Sequence, residues 1–208
     1  MVKALADDPH SRPEPVQPFT LILASTSRYR RDLLERLRLP FECLPPGVDE
    51  SPLPGESPAD TAMRLARAKA SAIRVDGPAL VIGSDQVAVL DGQPLGKPGG
   101  RARAIGQLMA SSGRCVDFHT GLCVRDTGSG LVACGLDTTR VTFRRLTLAQ
   151  VERYVDAEQP WDCAGSAKSE GLGVALIDRI EGRDPAALVG LPLMLLCDLL
   201  AEHGVHVL

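Results

Sequence analysis

The chain has 208 residues, 44% apolar and 24% charged, with a net charge of −3. That suffices for one generous domain with a full core, and it excludes a broadly basic nucleic-acid surface, so any anion site must be local. No apolar run approaches the roughly 20 residues of a membrane span, and six scattered cysteines without a CxxC pair read as reduced, buried side chains of a cytoplasmic protein.

Residues 1–18 hold four prolines, mixed charge and no periodicity, the signature of a disordered leader to a single domain over 19–208. The organising stretch follows: LILASTSRYRRDLLERL, residues 21–37. An apolar run breaks at Ser25-Thr26-Ser27 into a helix beginning at Ser27, with Arg28, Arg30 and Arg31 on its first turns. Free backbone N–H groups, hydroxyls, a helix dipole and arginines gathered at one turn suit a phosphate.

Phe41–Leu44 is a short strand, and Pro45-Pro46-Gly47 delivers Asp49 and Glu50 into a stiff loop. Ser57-Pro58 with Asp60 opens a helix whose face is read as Met63, Ala66, Ala70 and Ile73, with Lys69 at the stripe's edge. Residues 79–90, ALVIGSDQVAVL, read as two strand halves interrupted by Gly83-Ser84-Asp85-Gln86. An aspartate there costs free energy unless it is paired, metal-bound or open to a cleft. Asp91-Gly92 is a hairpin turn, and Lys97 follows within Gly96–Gly100.

A helix over 101–111 has Ala102, Ile105, Leu108 and Met109 on one side. An alternating strand over 115–124 and a second over 131–143 are joined by a DTGSG turn. Thr147 with Gln150 caps a helix running to about residue 157, residues 161–173 form a glycine-rich loop, and a strand covers 174–180. GRDP at 182–185 is a polar loop, and a last helix starts near Leu191-Pro192. The pattern predicts an α/β fold: an elongated mixed sheet carrying helices on its faces.

For chemistry, Asp85 with Asp49 and Glu50 would suit Mg²⁺ beside substrate phosphates, and Arg30, Arg31, Lys69 and Lys97 would neutralise phosphate oxygens. No GxxxxGK-S/T loop, HExxH or GxSxG element is present.

Taken together, LILASTSRYRRDLLERL, PPGVDES, the Ala66–Ala70 helix, VIGSDQVAVLDGQPLGKP, AGSAKSEG and GRDPAALVGLPL resemble the Maf family of nucleotide pyrophosphatases, in the same order, from about residue 19 onward. GSDQ and KSEG are closest to its YceF-type branch, which hydrolyses 7-methyl-GTP to 7-methyl-GMP and diphosphate. The dTTP/UTP branch carries Thr after the Asp and Gln before the Gly.

The resemblance implies a central cleft in a fold like that of inosine triphosphate pyrophosphatases. It also implies a divalent cation, Mg²⁺ or Mn²⁺, held by Glu50 and Asp85. Asp85 becomes the proton acceptor. Tyr29, Gln86 and Glu170 match the substrate-selecting positions, and Ser25, Arg30, Arg31, Lys69 and Lys97 the phosphate-handling ones. A cationic methylated guanine would be favoured by Glu170 and could stack on Tyr29. The branch's usual Pro-Trp is Arg28-Tyr29 here. The expected partner is a small nucleotide, with no nucleic acid or membrane and a homodimer allowed. A dTTP/UTP pyrophosphatase and a non-catalytic nucleotide-binding regulator of cell division are the alternatives.

Overall fold

The alternating and helical patterns assemble around one seven-stranded mixed sheet in a computed structural model that describes residues 19–208. The expected leader, 1–18, lies outside the described residues. The strands are β1 (Thr20–Leu23), β2 (Glu42–Cys43), β3 (Ala79–Leu90), β4 (Gln93–Leu95), β5 (Cys115–Asp126), β6 (Val132–Phe143) and β7 (Ile177–Glu181). The helices are α1 (Arg28–Glu35), α2 (Pro58–Ala72), α3 (Arg101–Ser111), α4 (Leu148–Glu158), α5 (Pro185–Val189) and α6 (Leu193–Glu202). Sheet order is β2-β1-β3-β5-β6-β7, with β4 paired to β3. β2, β1 and β3 run parallel, and every pairing beyond them is antiparallel. The mixed α/β architecture is therefore as the sequence predicts.

Three apolar clusters surround this sheet. On one face Leu21, Leu23, Leu80 and Ile82 pack against Leu33 and Leu34 of α1 and Leu196, Leu199 and Leu200 of α6. An eight-residue helix is marginal alone, so burial of Leu33 and Leu34, about 1.5–3 kcal/mol each, holds α1 in place. On the opposite face Ile22 and Val81 meet Ala66 and Ala70 of α2. Toward the far end Ala88, Phe118, Val141 and Phe143 pack against Leu108 of α3 and Val151 and Val155 of α4.

Several sequence expectations are corrected. Residues 79–90 are not two halves but one continuous strand, because antiparallel pairing to β5 runs unbroken from Leu80 to Val89. The buried face of α2 is Thr61, Ala62, Leu65, Ala66, Lys69 and Ala70, so Lys69 sits inside the stripe. In α3 the buried residues are Ala104, Leu108 and Ser111, whereas Met109 is exposed. The strand expected over 174–180 begins at Ile177, since 172–176 coil as a 3-10 turn. GRDP is not merely a loop: Asp184 caps the short helix α5.

The cysteines are also not all reduced. Cys123 and Cys134 face each other in the β5–β6 register and form a disulfide, while Cys43, Cys115, Cys163 and Cys197 are free. The pair was hidden because the two strands' register is invisible in a single sequence.

Candidate active site

The cleft is a gap in the sheet. β1 follows β3 only as far as the Leu23–Ile82 pair, and β4 joins the same edge only from Ala88 onward. Between them Gly83 to Val87 have no strand neighbour on that side. A cleft of about 1090 Å³ opens there, at the end of the parallel strands, where ligands settle in open α/β sheets.

Strand alternation divides the chemistry of residues 83–87 between two faces. Gly83 and Asp85 face α2. A Cβ on Gly83 would lie 2.2 Å from the Ala66 carbonyl oxygen and 2.5 Å from Ala70 N, and one on Gly121 would lie 2.4 Å from the Ala62 carbonyl oxygen. Two glycines on adjacent strands thus let α2 press onto the sheet. That contact lowers Lys69, which is 4% exposed, until its Nζ lies 2.6 Å from Asp85 Oδ1 and 2.5 Å from Glu50 Oε1.

The loop carrying Glu50 is clamped to α2. Arg64 donates through Nε to Glu56 Oε1 (2.6 Å) and through Nη2 to Glu56 Oε2 (2.8 Å) and the Ser51 carbonyl (3.1 Å). The Arg64 fork brings the Glu56 carboxyl down to about 2. Burial pushes Glu50 up, but the hydrogen bond and charge of Lys69, with Lys97 and Arg30 nearby, leave it below the usual carboxylate range. Asp49 points away from this group: it is exposed, accepts from Ser51 N at 2.9 Å and does not line the cleft.

The start of α1 forms the adjacent wall. Ser25 Oγ accepts from Ser27 N (3.1 Å), and Ser27 Oγ caps the helix by accepting from Arg30 N (3.4 Å). Arg30 donates Nε to the Gly190 carbonyl at 2.8 Å. Burial lowers its pKa against the opposing charges of Asp85 and Glu50. Lys97 is exposed on the cleft's rim. Arg31, one position round the helix from Arg30, is exposed and outside the lining.

Tyr29, Asp162, Cys163 and Glu170 also line the cleft, the Cys163 Sγ lying 4.0 Å from the Tyr29 hydroxyl. Arg28 covers the Tyr29 ring at 4.8 Å from its centroid and donates to its hydroxyl at 2.9 Å, so one face of that ring already holds a cation. Burial, then the Asp162 charge, pushes the Cys163 thiol up to about 11, so Cys163 stays a neutral thiol at pH 7 and makes a poor nucleophile.

The opposite face of β3 presents Ser84 and Gln86 to α5. Ser84 Oγ lies 3.0 Å from both the Gly121 and Gly190 carbonyls, and Gln86 Nε2 donates to Thr120 Oγ1 (2.9 Å) and the Ala187 carbonyl (2.9 Å). α5 is itself held by Asp184, which accepts from Ala186 N at 2.8 Å and Met194 N at 2.7 Å. Sequence reasoning missed this platform of Ser84, Thr120, Asp184 and Gly190. Its one legible signal was the Asp-Pro pair at 184–185, a cap followed by a first-turn proline.

Glu50 and Asp85 offer the hard oxygen donors a Mg²⁺ or Mn²⁺ takes beside substrate phosphates, and Lys69 engages one oxygen of each, leaving the second. The donor set fits such an ion. Among the described residues no cluster of three or more Asp, Glu, His or Cys forms, so substrate and water would complete the coordination. No described helix is long and apolar enough to cross a membrane.

Known proteins can be compared with this geometry. The chain is 52% identical over 193 residues to the 7-methyl-GTP pyrophosphatase of Vibrio vulnificus strain CMCP6, covering 93% of this chain and 100% of that one. It is 56% identical over 191 residues to that of Burkholderia pseudomallei strain 1710b, covering 90% and 89%. A solved nucleoside-triphosphatase (dITP/XTP pyrophosphatase) from Mycobacterium abscessus aligns with a TM-score of 0.40 and 18% identity, over 62% of this chain and 76% of that one. The model of the Maf-like protein family matches residues 20–203, so this chain is a member of the Maf family.

Proposed function

We propose that the cleft hydrolyses a nucleoside triphosphate between its α- and β-phosphates, with 7-methyl-GTP as substrate, releasing 7-methyl-GMP and diphosphate. The observation that carries this is the juxtaposition of a buried carboxylate, Asp85, with cations and a helix N-terminus in one cleft. The same cleft is also lined by an aromatic ring and two carboxylates, Tyr29, Asp162 and Glu170. Relatives at 52–56% identity named for that activity support the base assignment.

In this reading Asp85 takes the proton of the attacking water, and Lys69 fixes the carboxylate's orientation. The triphosphate lies against Ser25, the α1 N-terminus, Arg30 and Lys97, which offset the charge that gathers on phosphate oxygens in the transition state. Arg31, exposed outside the cleft, contributes at most long-range charge. A divalent cation on Glu50 and Asp85, when bound, would supply Lewis-acid polarisation of the phosphate and a template for it. A methylated guanine is cationic, so Glu170 and Asp162 favour it by charge. The substrate pool for such an enzyme is cytoplasmic.

The test is incubation with 7-methyl-GTP and Mg²⁺, following diphosphate and orthophosphate separately. Diphosphate is expected, and Asp85→Asn should lower kcat at least about 100-fold with the fold retained. Orthophosphate release, or full activity in the variant, would overturn the assignment.

A further inference from the structure

We propose that Tyr154 and Glu158, one turn apart on α4, are positioning residues that clamp residues 166–172 of the cleft wall in the shape that binds nucleotide. This rests on the nucleotide reading above and adds what holds that wall in place.

The wall has no regular structure of its own. Residues 167–171 belong to no helix or strand. Ser166 sits at φ 58°, in the left-handed region that a residue with a side chain enters at a cost. Ala167 and Glu170 nevertheless line the cleft, and each is bracketed by one side chain of α4.

The first bracket is the Tyr154 hydroxyl. It accepts from Lys168 N at 3.0 Å and donates to the Ser166 carbonyl at 3.1 Å, on either side of Ala167. Neither backbone group has another protein partner among the described residues. The second is the Glu158 carboxylate. It accepts from Lys168 Nζ at 2.8 Å and from Leu172 N at 2.7 Å, on either side of Glu170. Gly171 permits that approach, since a Cβ there would lie 2.5 Å from Glu158 Oε1. Lys168 joins the two brackets, its carbonyl accepting from Gly171 N and Gly173 N, both at 3.1 Å.

The clamp is fixed at its other end by the core. Tyr154 is buried with Val151 and Val155 of α4 against Phe118 and Phe143 of the sheet. Neither Tyr154 nor Glu158 touches substrate in this scheme. A wall already ordered loses less freedom when the nucleotide arrives, so the clamp acts on affinity. Asp85 and Lys69 stand on other elements, and kcat should be nearly untouched.

The experiment measures hydrogen exchange at the Lys168 and Leu172 amides, the calorimetric Kd of 7-methyl-GMP, and kcat and KM for 7-methyl-GTP. Tyr154→Phe, which keeps the buried ring, should speed exchange at Lys168, and Glu158→Ala should speed it at Leu172. Each should weaken Kd and raise KM by about 5-fold or more, with kcat within about 2-fold of wild type. Glu158→Gln, which keeps an oxygen for Leu172 N, should bind within about 2-fold of wild type. Unchanged exchange at both amides would overturn the proposal. So would faster exchange with an unchanged Kd, which makes the two residues merely structural, a loss confined to kcat, or equal losses in Gln and Ala. Weakened 7-methyl-GMP binding in the variants, with no turnover of 7-methyl-GTP by wild type, would refute the hydrolase reading and leave this one standing.

Discussion

Lys69→Met tests whether the buried ion pair is the structural centre of the site. The substitution keeps most of the side chain's apolar length and removes the ammonium. Lys69 and Asp85 side chains are 6% and 11% exposed and 2.6 Å apart, whereas Glu50 is 52% exposed and can turn to water. Nearly all of the loss therefore falls on Asp85, left as an uncompensated buried charge. Breaking one partner of such a pair costs about 3–5 kcal/mol. Arg30 and Lys97 remain near and favour the lower end. Adding Asp85→Asn removes the stranded charge, so the double variant should return to within about 2 kcal/mol of wild type, a strong coupling. Urea unfolding of all four proteins in EDTA at pH 7.5 measures the cycle. A Lys69→Met protein within about 1 kcal/mol of wild type, or losses that simply add, would refute the ion-pair argument.

Four further outcomes are expected. Gly83→Ala puts a methyl into the α2 backbone, so the helix must lift; a loss beyond about 3 kcal/mol, or no soluble protein, should appear in urea melts. Asp184→Ala orphans one buried and one partly buried N–H group, for about 1–3 kcal/mol in stability, and should flatten base preference more than it changes kcat. Glu56 has a folded pKa of about 2 against an ordinary 4.5, so its contribution is complete above about 4.5 and disappears as pH falls toward 2. The loop bearing Glu50 should then loosen across that window, which hydrogen exchange at residues 50–57 would read, and Glu56→Gln should weaken the dependence, leaving the part carried by the Glu50–Lys69 pair. Alkylation of the denatured, unreduced protein should label four of six cysteines, and reduction should cost about 2–3 kcal/mol.

What the sequence carried was local. Ser27, Ser57 and Thr147 each cap the helix predicted for them, because capping depends on residues three apart in the chain. Asp91-Gly92, both at positive φ, turns the β3–β4 hairpin for an equally local reason. What it withheld was register. Gly83-Ser84-Asp85-Gln86 looks like a break because its polarity opposes burial, and only the flanking α2 and α5 show each polar group meeting a partner. Lys69 was set at the edge of its stripe because a buried lysine contradicts helical patterning unless a carboxylate awaits it, and Asp85 is sixteen residues away. Tyr29 was expected to offer a free face, and Arg28, its neighbour, occupies one.

One strand with two faces has a kinetic consequence. Asp85 reaches Lys69 of α2, beside Glu50 of the preceding loop; Gln86 reaches the Ala187 carbonyl of α5, beside Thr120 of β5. The sheet lies between the two sets, so under the proposed function a change on the α2 face should act on the phosphate chemistry common to every nucleotide. A change on the α5 face should act on which base is admitted. Substitutions at Glu50 or Lys69 should therefore scale kcat/KM alike for all substrates, whereas those at Gln86 or Asp184 should alter ratios between them. The Gly190 carbonyl is where the separation is incomplete, since it takes both Arg30 Nε and Ser84 Oγ. Displacement of α5 large enough to move that carbonyl should carry an effect on base choice over into phosphate binding, and a milder one should not.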